Sequence, residues 1–405
     1  MAVERILAAR IRHGSLSLEY PDGSVRRYGA GEPAARWQIH DHKALPRIAA
    51  DPDFMLGQTY MDGAWSTPDL LRLLQVLMVN FPEGQGGRWR RLVQRLLRPF
   101  QQWNRRAASR RNVAHHYDLD ESLFRRFLDE DMQYSCAYWP PGVDDLESAQ
   151  YAKKELIRRK LRLQPGQRVL DIGCGWGGLA IHLAEHSDVS VVGVTLSQEQ
   201  YRVARQRVAE RGLDGRVDIR MQDYREVPEE FDRVVSVGMF EHVGARYYDT
   251  YFQGVYDHLT RDGVALIHTI GRSTPPGVTN PWIARYIFPG GYIPAMSEVM
   301  AAVERQALVS TDIEVLRLHY AQTLAAWQER FQRVRAAVAA EKDERFCRMW
   351  EFYLAASEAA FRWHDLVVFQ FQLARDQAAV PLTRDYLFAP EERAMLWDVG
   401  RSSAG

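Results

Sequence analysis

A doubly wound, mainly parallel α/β sheet with helical additions, preceded by a small α+β N-terminal module, is the fold this sequence predicts. Three observations carry that expectation. Apolar strand-period runs alternate with helix-period runs between residues 168 and 270, as parallel strands joined by crossover helices do. One junction, Val169-Leu170-Asp171-Ile172-Gly173-Cys174-Gly175-Trp176-Gly177-Gly178-Leu179, ends an apolar run in an acid and a burst of glycines. There a strand turns tightly into a helix and leaves its backbone open to a ligand. The first 80 residues follow another pattern, with alternating Leu16, Leu18 and Tyr20, a turn at Pro21-Asp22-Gly23, and then Val25 and Tyr28. That is a β-hairpin.

In chain order, residues 1–82 form the N-terminal module. After the hairpin it holds a short apolar helix, Gly63-Ala64-Trp65, and a helix from Pro68 to about Met78. Residues 83–111 read as a connector. No acid occurs from Gly84 to Tyr117, while arginines stand at 88, 90, 91, 95, 98, 105, 106, 110 and 111. Trp89, Leu92, Val93, Leu96, Leu97 and Phe100 share one helical face, with Pro99 ending or kinking the helix. Such a helix suits an anionic membrane surface; alternatively, its apolar stripe packs on the protein itself. The α/β domain then spans 112–405. Its strands are expected at 168–172, 189–195, 216–221, 231–237 and 263–270, with later candidates at Ile313–Leu318 and Leu366–Leu373. Helices are expected at 177–186, 197–211, 246–259, 321–340 and 344–361.

Composition excludes several classes. Of 405 residues, 46% are hydrophobic, enough for a full core, and 52 basic residues balance 52 acidic ones. Overall charge therefore gives no sign of a nucleic-acid partner. The cysteines Cys136, Cys174 and Cys347 are scattered, which argues against a disulfide framework or a metal site and for a reducing compartment. The first residues lack the apolar core of a signal peptide, and no run reaches the roughly 18 apolar residues of a membrane span. A cytoplasmic protein, free to sit peripherally on a membrane, is expected.

The spacing Gly173-x-Gly175-x-Gly177 differs from the G-x-G-x-x-G of nicotinamide enzymes. With Asp171 before it, the segment resembles motif I of S-adenosylmethionine (SAM)-dependent methyltransferases, which implies their seven-stranded Rossmann-like sheet. Ligands in such sheets lie at the carboxyl ends of the strands. On that reading Asp171, Gly173, Cys174, Gly175 and Gly177 take the amino-acid portion of SAM. The second strand ends in Thr195-Leu196-Ser197, with Gln200 beyond; Thr195 and Gln200 would serve the ribose through neutral hydrogen bonds. Ser197 is read either as a ligand contact or as a plain helix N-cap. After the third strand, Asp223 would accept from the adenine amino group and Tyr224 would cover the ring.

Further segments narrow the acceptor. They are His115–Leu119, Tyr134-Ser135-Cys136-Ala137-Tyr138-Trp139, Gly238–Gly244, His268–Gly271, Ile287–Gly291 and Val380–Arg384. Together they resemble the cyclopropane fatty acid synthase family from about residue 112 to 385, and the leading module is similar to that of its bacterial members. The resemblance implies transfer of a methylene from SAM to the cis double bond of a phospholipid acyl chain, with bicarbonate as general base. It implies Cys136, Glu241, His268, Ile270 (through its backbone) and Tyr320 around that bicarbonate, Tyr134 and Ser135 on the cofactor side, and a homodimer. Glu241 would share a proton with the anion or orient His268.

An alkene has nothing to ionise, so its attack rests on positioning in a dry site, and aromatic faces steady the resulting cation. Two or three of Phe240, Tyr247, Tyr251, Phe252, Trp282, Tyr286, Phe288 and Tyr292 should line the pocket. Where some relatives carry a late-helix cysteine, this chain reads Ala356-Ser357-Glu358, so no covalent cysteine is assigned. The partner expected is unsaturated, anionic phospholipid in a bilayer. Alternative readings are a related lipid C-methyltransferase giving a methylene- or methyl-branched chain, a lipid-binding protein with a relict SAM site, and a nucleic-acid methyltransferase.

Overall fold

The structure, a computed structural model, describes residues 2–81 and 121–388. The basic helix expected at 88–100, the boundaries at 82/83 and 111/112, and the His115–Leu119 segment lie outside the described residues. The expected hairpin forms: β1 (Gly14–Glu19) and β2 (Val25–Ala30) pair antiparallel around Gly23, whose φ of +80° is a left-handed conformation natural to glycine. The strand β3 (Ala34–Ile39) joins β1 in parallel, and β4 (Trp65–Ser66) adds to β3, giving the order β2-β1-β3-β4. Leu16 and Leu18 of β1 are fully buried, while their neighbours are half-buried. The helix Leu70–Asn80 starts where the Asp69 carboxylate accepts from the Arg72 N–H at 2.8 Å, an N-cap.

This apolar face does not close on itself. Leu16, Leu18, Trp65 and Leu73 share one core cluster with Trp327, Phe331, Trp350 and Phe352. Those partners come from the long helices His319–Glu341 and Glu344–Trp363. Arg348 reaches back to donate to the Tyr60 and Trp65 carbonyls at 2.6 and 2.7 Å.

The second sheet comprises β5 (Arg168–Ile172), β6 (Ser190–Thr195), β7 (Val217–Met221), β8 (Phe231–Val237), β9 (Leu259–Arg272), β10 (Val309–Val315) and β11 (Leu366–Ala374). Their order is β7-β6-β5-β8-β9-β11-β10. The pairs from β7 to β9 are parallel, and β11 runs antiparallel to both β9 and β10. Strand order reverses at β5, so a crevice opens at the carboxyl ends of β5, β6 and β8. The seven-stranded α/β expectation therefore holds, with two adjustments. The strand β9 extends beyond 263–270 at both ends. The strand β10 lies before the expected Ile313–Leu318, because its half-buried residues include Ser310, Thr311, Asp312 and Glu314 and hydrophobicity marks such an edge strand poorly. The sequence reading has no helix at Leu146–Leu161. Its charge hides it, yet Lys153 and Lys160 of this helix are buried.

Candidate active site

Two cavities adjoin at these strand ends and share Tyr134, Ser135, Gly238 and His242. The larger is walled by Asp171, Gly173, Cys174 and Gly175 after β5, Thr195, Leu196 and Gln200 after β6, and Asp223, Tyr224 and Arg225 after β7. Gly173 has φ of +81°, and a Cβ there would meet the Met239 side chain at 2.9 Å, so only glycine lets the turn and the β8 loop approach. Burial pushes the Asp171 carboxyl up to about 7, and its Oδ2 has no partner within the described residues. A buried carboxyl so placed is costly until a ligand donor or cation meets it. The ammonium of SAM is such a group, so this wall fits SAM. Thr195 Oγ1 donates to Gln200 Oε1 at 2.9 Å, which leaves the Gln200 NH2 for other acceptors. The Asp223 carboxylate takes the Arg225 guanidinium through Nε at 2.8 Å and Nη2 at 2.5 Å.

The smaller cavity gathers side chains from widely separated segments. Cys136 comes from the loop before Leu146–Leu161, Glu241 from the short turn Phe240–His242 after β8, His268 and Ile270 from β9, and Tyr320 from the first turn of His319–Glu341. Thr279, Ile283, Phe288, Gly291, Tyr292 and Ile293 complete it. Glu241 Oε1 accepts from the Ile270 N–H at 2.6 Å, while Oε2 is buried with no partner among the described residues. Burial raises the Glu241 carboxyl to about 7. It depresses His268 to about 3, with Lys153 and Lys160 adding to the effect, and His242 to about 4. The Cys136 thiol is raised by burial and donates to the Ala137 carbonyl at 3.2 Å. At neutral pH the cavity thus offers a thiol, a phenol, neutral imidazoles and a carboxyl that burial disposes to keep its proton.

The model of the mycolic acid cyclopropane synthetase family matches residues 104–371. The cyclopropane-fatty-acyl-phospholipid synthase of Escherichia coli K12 is 42% identical over 347 residues, covering 85% of this chain and 89% of that protein. The chain belongs to the cyclopropane synthase family. It is accordingly a SAM-dependent methyltransferase. The tuberculostearic acid methyltransferase UfaA1 of Mycobacterium tuberculosis is 39% identical over 389 residues, 92% of this chain and 90% of that one. Among solved structures, the mycolic acid cyclopropane synthase CmaA1, complexed with SAH and CTAB, matches with a TM-score of 0.62 at 34% identity. That match covers 65% of this chain and 97% of that one.

In this family member the structure brings Cys136, Glu241, His268, Ile270 and Tyr320 to the smaller cavity, and most of the expected cofactor residues to the larger. Gly177 and Ser197 line neither. A Cβ on Gly177 would meet Ala204 Cβ at 3.0 Å, so this glycine serves helix packing. Ser197 caps Gln198–Glu210 by accepting from the Gln200 N–H at 3.3 Å. The Ile270 N–H is given to Glu241, and Gln370 Nε2 lies 3.1 Å from Nδ1 of the His268 ring. Of the eight candidate aromatics, Phe288 and Tyr292 line the smaller cavity and Tyr247 the larger, whereas Phe240, Tyr251 and Phe252 are core.

Sequence reasoning missed His242, although it lay inside a quoted motif, and Arg225, whose signal was its place two residues after Asp223. It also missed Lys153, which donates to Gln133 Oε1 at 2.7 Å and Ser135 Oγ at 2.9 Å and so holds the segment shared by both cavities. Among the described residues no helix is long and apolar enough to cross a membrane.

Proposed function

We propose that this enzyme adds a methylene carbon from SAM across the cis double bond of an unsaturated phospholipid acyl chain, with bound bicarbonate as the base. The observation that carries the reading is the unpartnered Glu241 Oε2 in a cavity also lined by Cys136, His268 and Tyr320. A carboxyl raised to about 7 and neutral donors around it suit a small oxyanion. SAM, held by Asp171 and the glycine turn, would supply an electrophilic methyl group on sulfonium. Bicarbonate, held by Cys136, Glu241, His268 and Tyr320, would supply a base that is not consumed by alkylation.

The chain's own residues do the rest. Ile283, Phe288 and Ile293 exclude water from the alkene, and Phe288 and Tyr292 offer aromatic faces to the positive charge on the acyl chain. Glu241 and the Ile270 N–H fix one side of the proton-accepting pocket. The added carbon loses a proton there as the ring closes, so the acyl chain gains CH2 overall.

The test uses purified protein, methyl-labelled SAM and vesicles of cis-unsaturated anionic phospholipid, with the released acyl chains analysed by gas chromatography and mass spectrometry. A labelled chain one CH2 heavier that resists mild hydrogenation is the expected product. The similarity to a tuberculostearic acid methyltransferase supports a second reading, a methylene- or methyl-branched chain. A product that hydrogenation converts to a saturated methyl branch selects the methylene form. The enzyme is proposed to work peripherally on the cytoplasmic face of an anionic bilayer, as a homodimer. The arginine-rich, acid-free stretch from 84 to 117 supports the membrane part. Reversing Arg88, Arg90, Arg91 and Arg95 to glutamate should abolish activity on vesicles and leave SAM binding intact; retained activity contradicts it.

A further inference from the structure

His268 has neighbours that the chemistry above does not use. Gln370 of β11 stands directly opposite it in antiparallel register, where facing side chains meet. Gln370 Nε2 lies 3.1 Å from His268 Nδ1. On its other side, Gln370 Oε1 accepts from Lys160 Nζ at 2.7 Å. Lys160, in the last turn of Leu146–Leu161, is 1% exposed and is paired with Glu314 of β10. A line from the half-buried Glu314 through the buried Lys160, Gln370 and His268 therefore runs from the edge of the sheet to the smaller cavity.

We infer that Lys160 and Gln370 are positioning residues that set the tautomer of His268, keeping Nδ1 bare and the proton on Nε2. The purpose of that tautomer rests on the anion-binding reading of the smaller cavity. An ammonium has donors and no acceptor, so the Gln370 oxygen faces Lys160 and its NH2 faces the ring. That NH2 can only donate, so Nδ1 must accept. Burial keeps the imidazole neutral, and its single proton then sits on Nε2. Because His268 lines the cavity and Nδ1 is committed to Gln370, Nε2–H is the group left to meet an oxyanion. The opposite tautomer would offer a lone pair and repel it. Burial lowers the Lys160 ammonium, and the Glu314 carboxylate paired with it opposes that effect and so helps keep the amide from turning over.

The direct test is the imidazole nitrogen spectrum of the full-length protein labelled with 15N-histidine, with His268 assigned by loss of its signals in His268→Gln. The wild-type protein should show Nδ1 unprotonated and Nε2 protonated through neutral pH. A proton on Nδ1 of the wild-type ring overturns the inference. Gln370→Glu presents an acceptor to Nδ1 and should move the proton there. The same variant should raise the half-saturating bicarbonate concentration roughly tenfold or more, as loss of a charge-assisted hydrogen bond does, while SAM affinity stays unchanged. Retention of the wild-type ring pattern in Gln370→Glu also overturns it. A wild-type rate indifferent to bicarbonate would instead overturn the anion reading, and the ring spectrum would still decide the tautomer.

Discussion

The larger cavity is walled mostly by consecutive residues at the ends of adjacent parallel strands, whereas the smaller draws single side chains from separate parts of the chain. The first is local: Asp171, Gly173, Cys174 and Gly175 are nearly contiguous, and the strand order delivers the rest. The second is long-range: Cys136, Glu241, His268 and Tyr320 meet only because the sheet and the long helices pack together. Each holds one buried carboxyl raised to about 7 with an oxygen lacking a partner among the described residues. In the larger cavity that carboxyl suits a cation. In the smaller, it sits among neutral donors and suits an anion. Similar groups thus acquire opposite tasks from their surroundings.

The sharpest way to separate the two cavities is Glu241→Gln. Product formation should fall roughly 100-fold or more, the scale of a lost acid–base contribution, while calorimetric SAM affinity is unchanged. Loss of SAM binding would mean that the cavities are not functionally distinct.

The next effect is a pH dependence of SAM binding itself. Asp171 titrates at about 7 in the folded protein, against about 3.9 for an ordinary aspartate. Without ligand, the stability it contributes is fully present below the ordinary range and is lost as pH rises through about 7. SAM needs the ionised form, so below pH 7 its affinity should drop by up to about tenfold per pH unit. Asp171→Asn should weaken binding roughly tenfold or more and flatten that slope, both read by calorimetry across pH 5.5–8. A slope unaltered by the substitution contradicts the assignment.

The smallest effect belongs to Ser197. Ser197→Ala should cost about 1 kcal/mol of stability, the value of an N-cap, measured by denaturant unfolding, with SAM affinity unchanged. A large loss of SAM affinity would return Ser197 to the cofactor site.

The same contrast explains what was legible in the sequence. The turn after β5 could be read from its own residues, because strand, acid and glycines follow one another and each does local work. Ser197 stays open in the sequence because an N-cap and a ligand contact ask for the same residue type, and the structure shows the cap. The smaller cavity was reached only through resemblance, since no spacing relates Cys136 to Tyr320. Lys160 and Gln370 left no signal at all. One sits in a charged helix that hydropathy passes over, and the other is a polar residue in the apolar run Leu366–Ala374 whose partner lies across the sheet.

The measurement that tests the central claim most directly is the initial rate of methyl transfer to unsaturated phospholipid vesicles in carbonate-depleted buffer, with bicarbonate then added back. The account predicts a rate that rises with bicarbonate to saturation in the wild-type enzyme, and little or no rise in Glu241→Gln. A wild-type rate independent of bicarbonate, or an equal rise in Glu241→Gln, would contradict it.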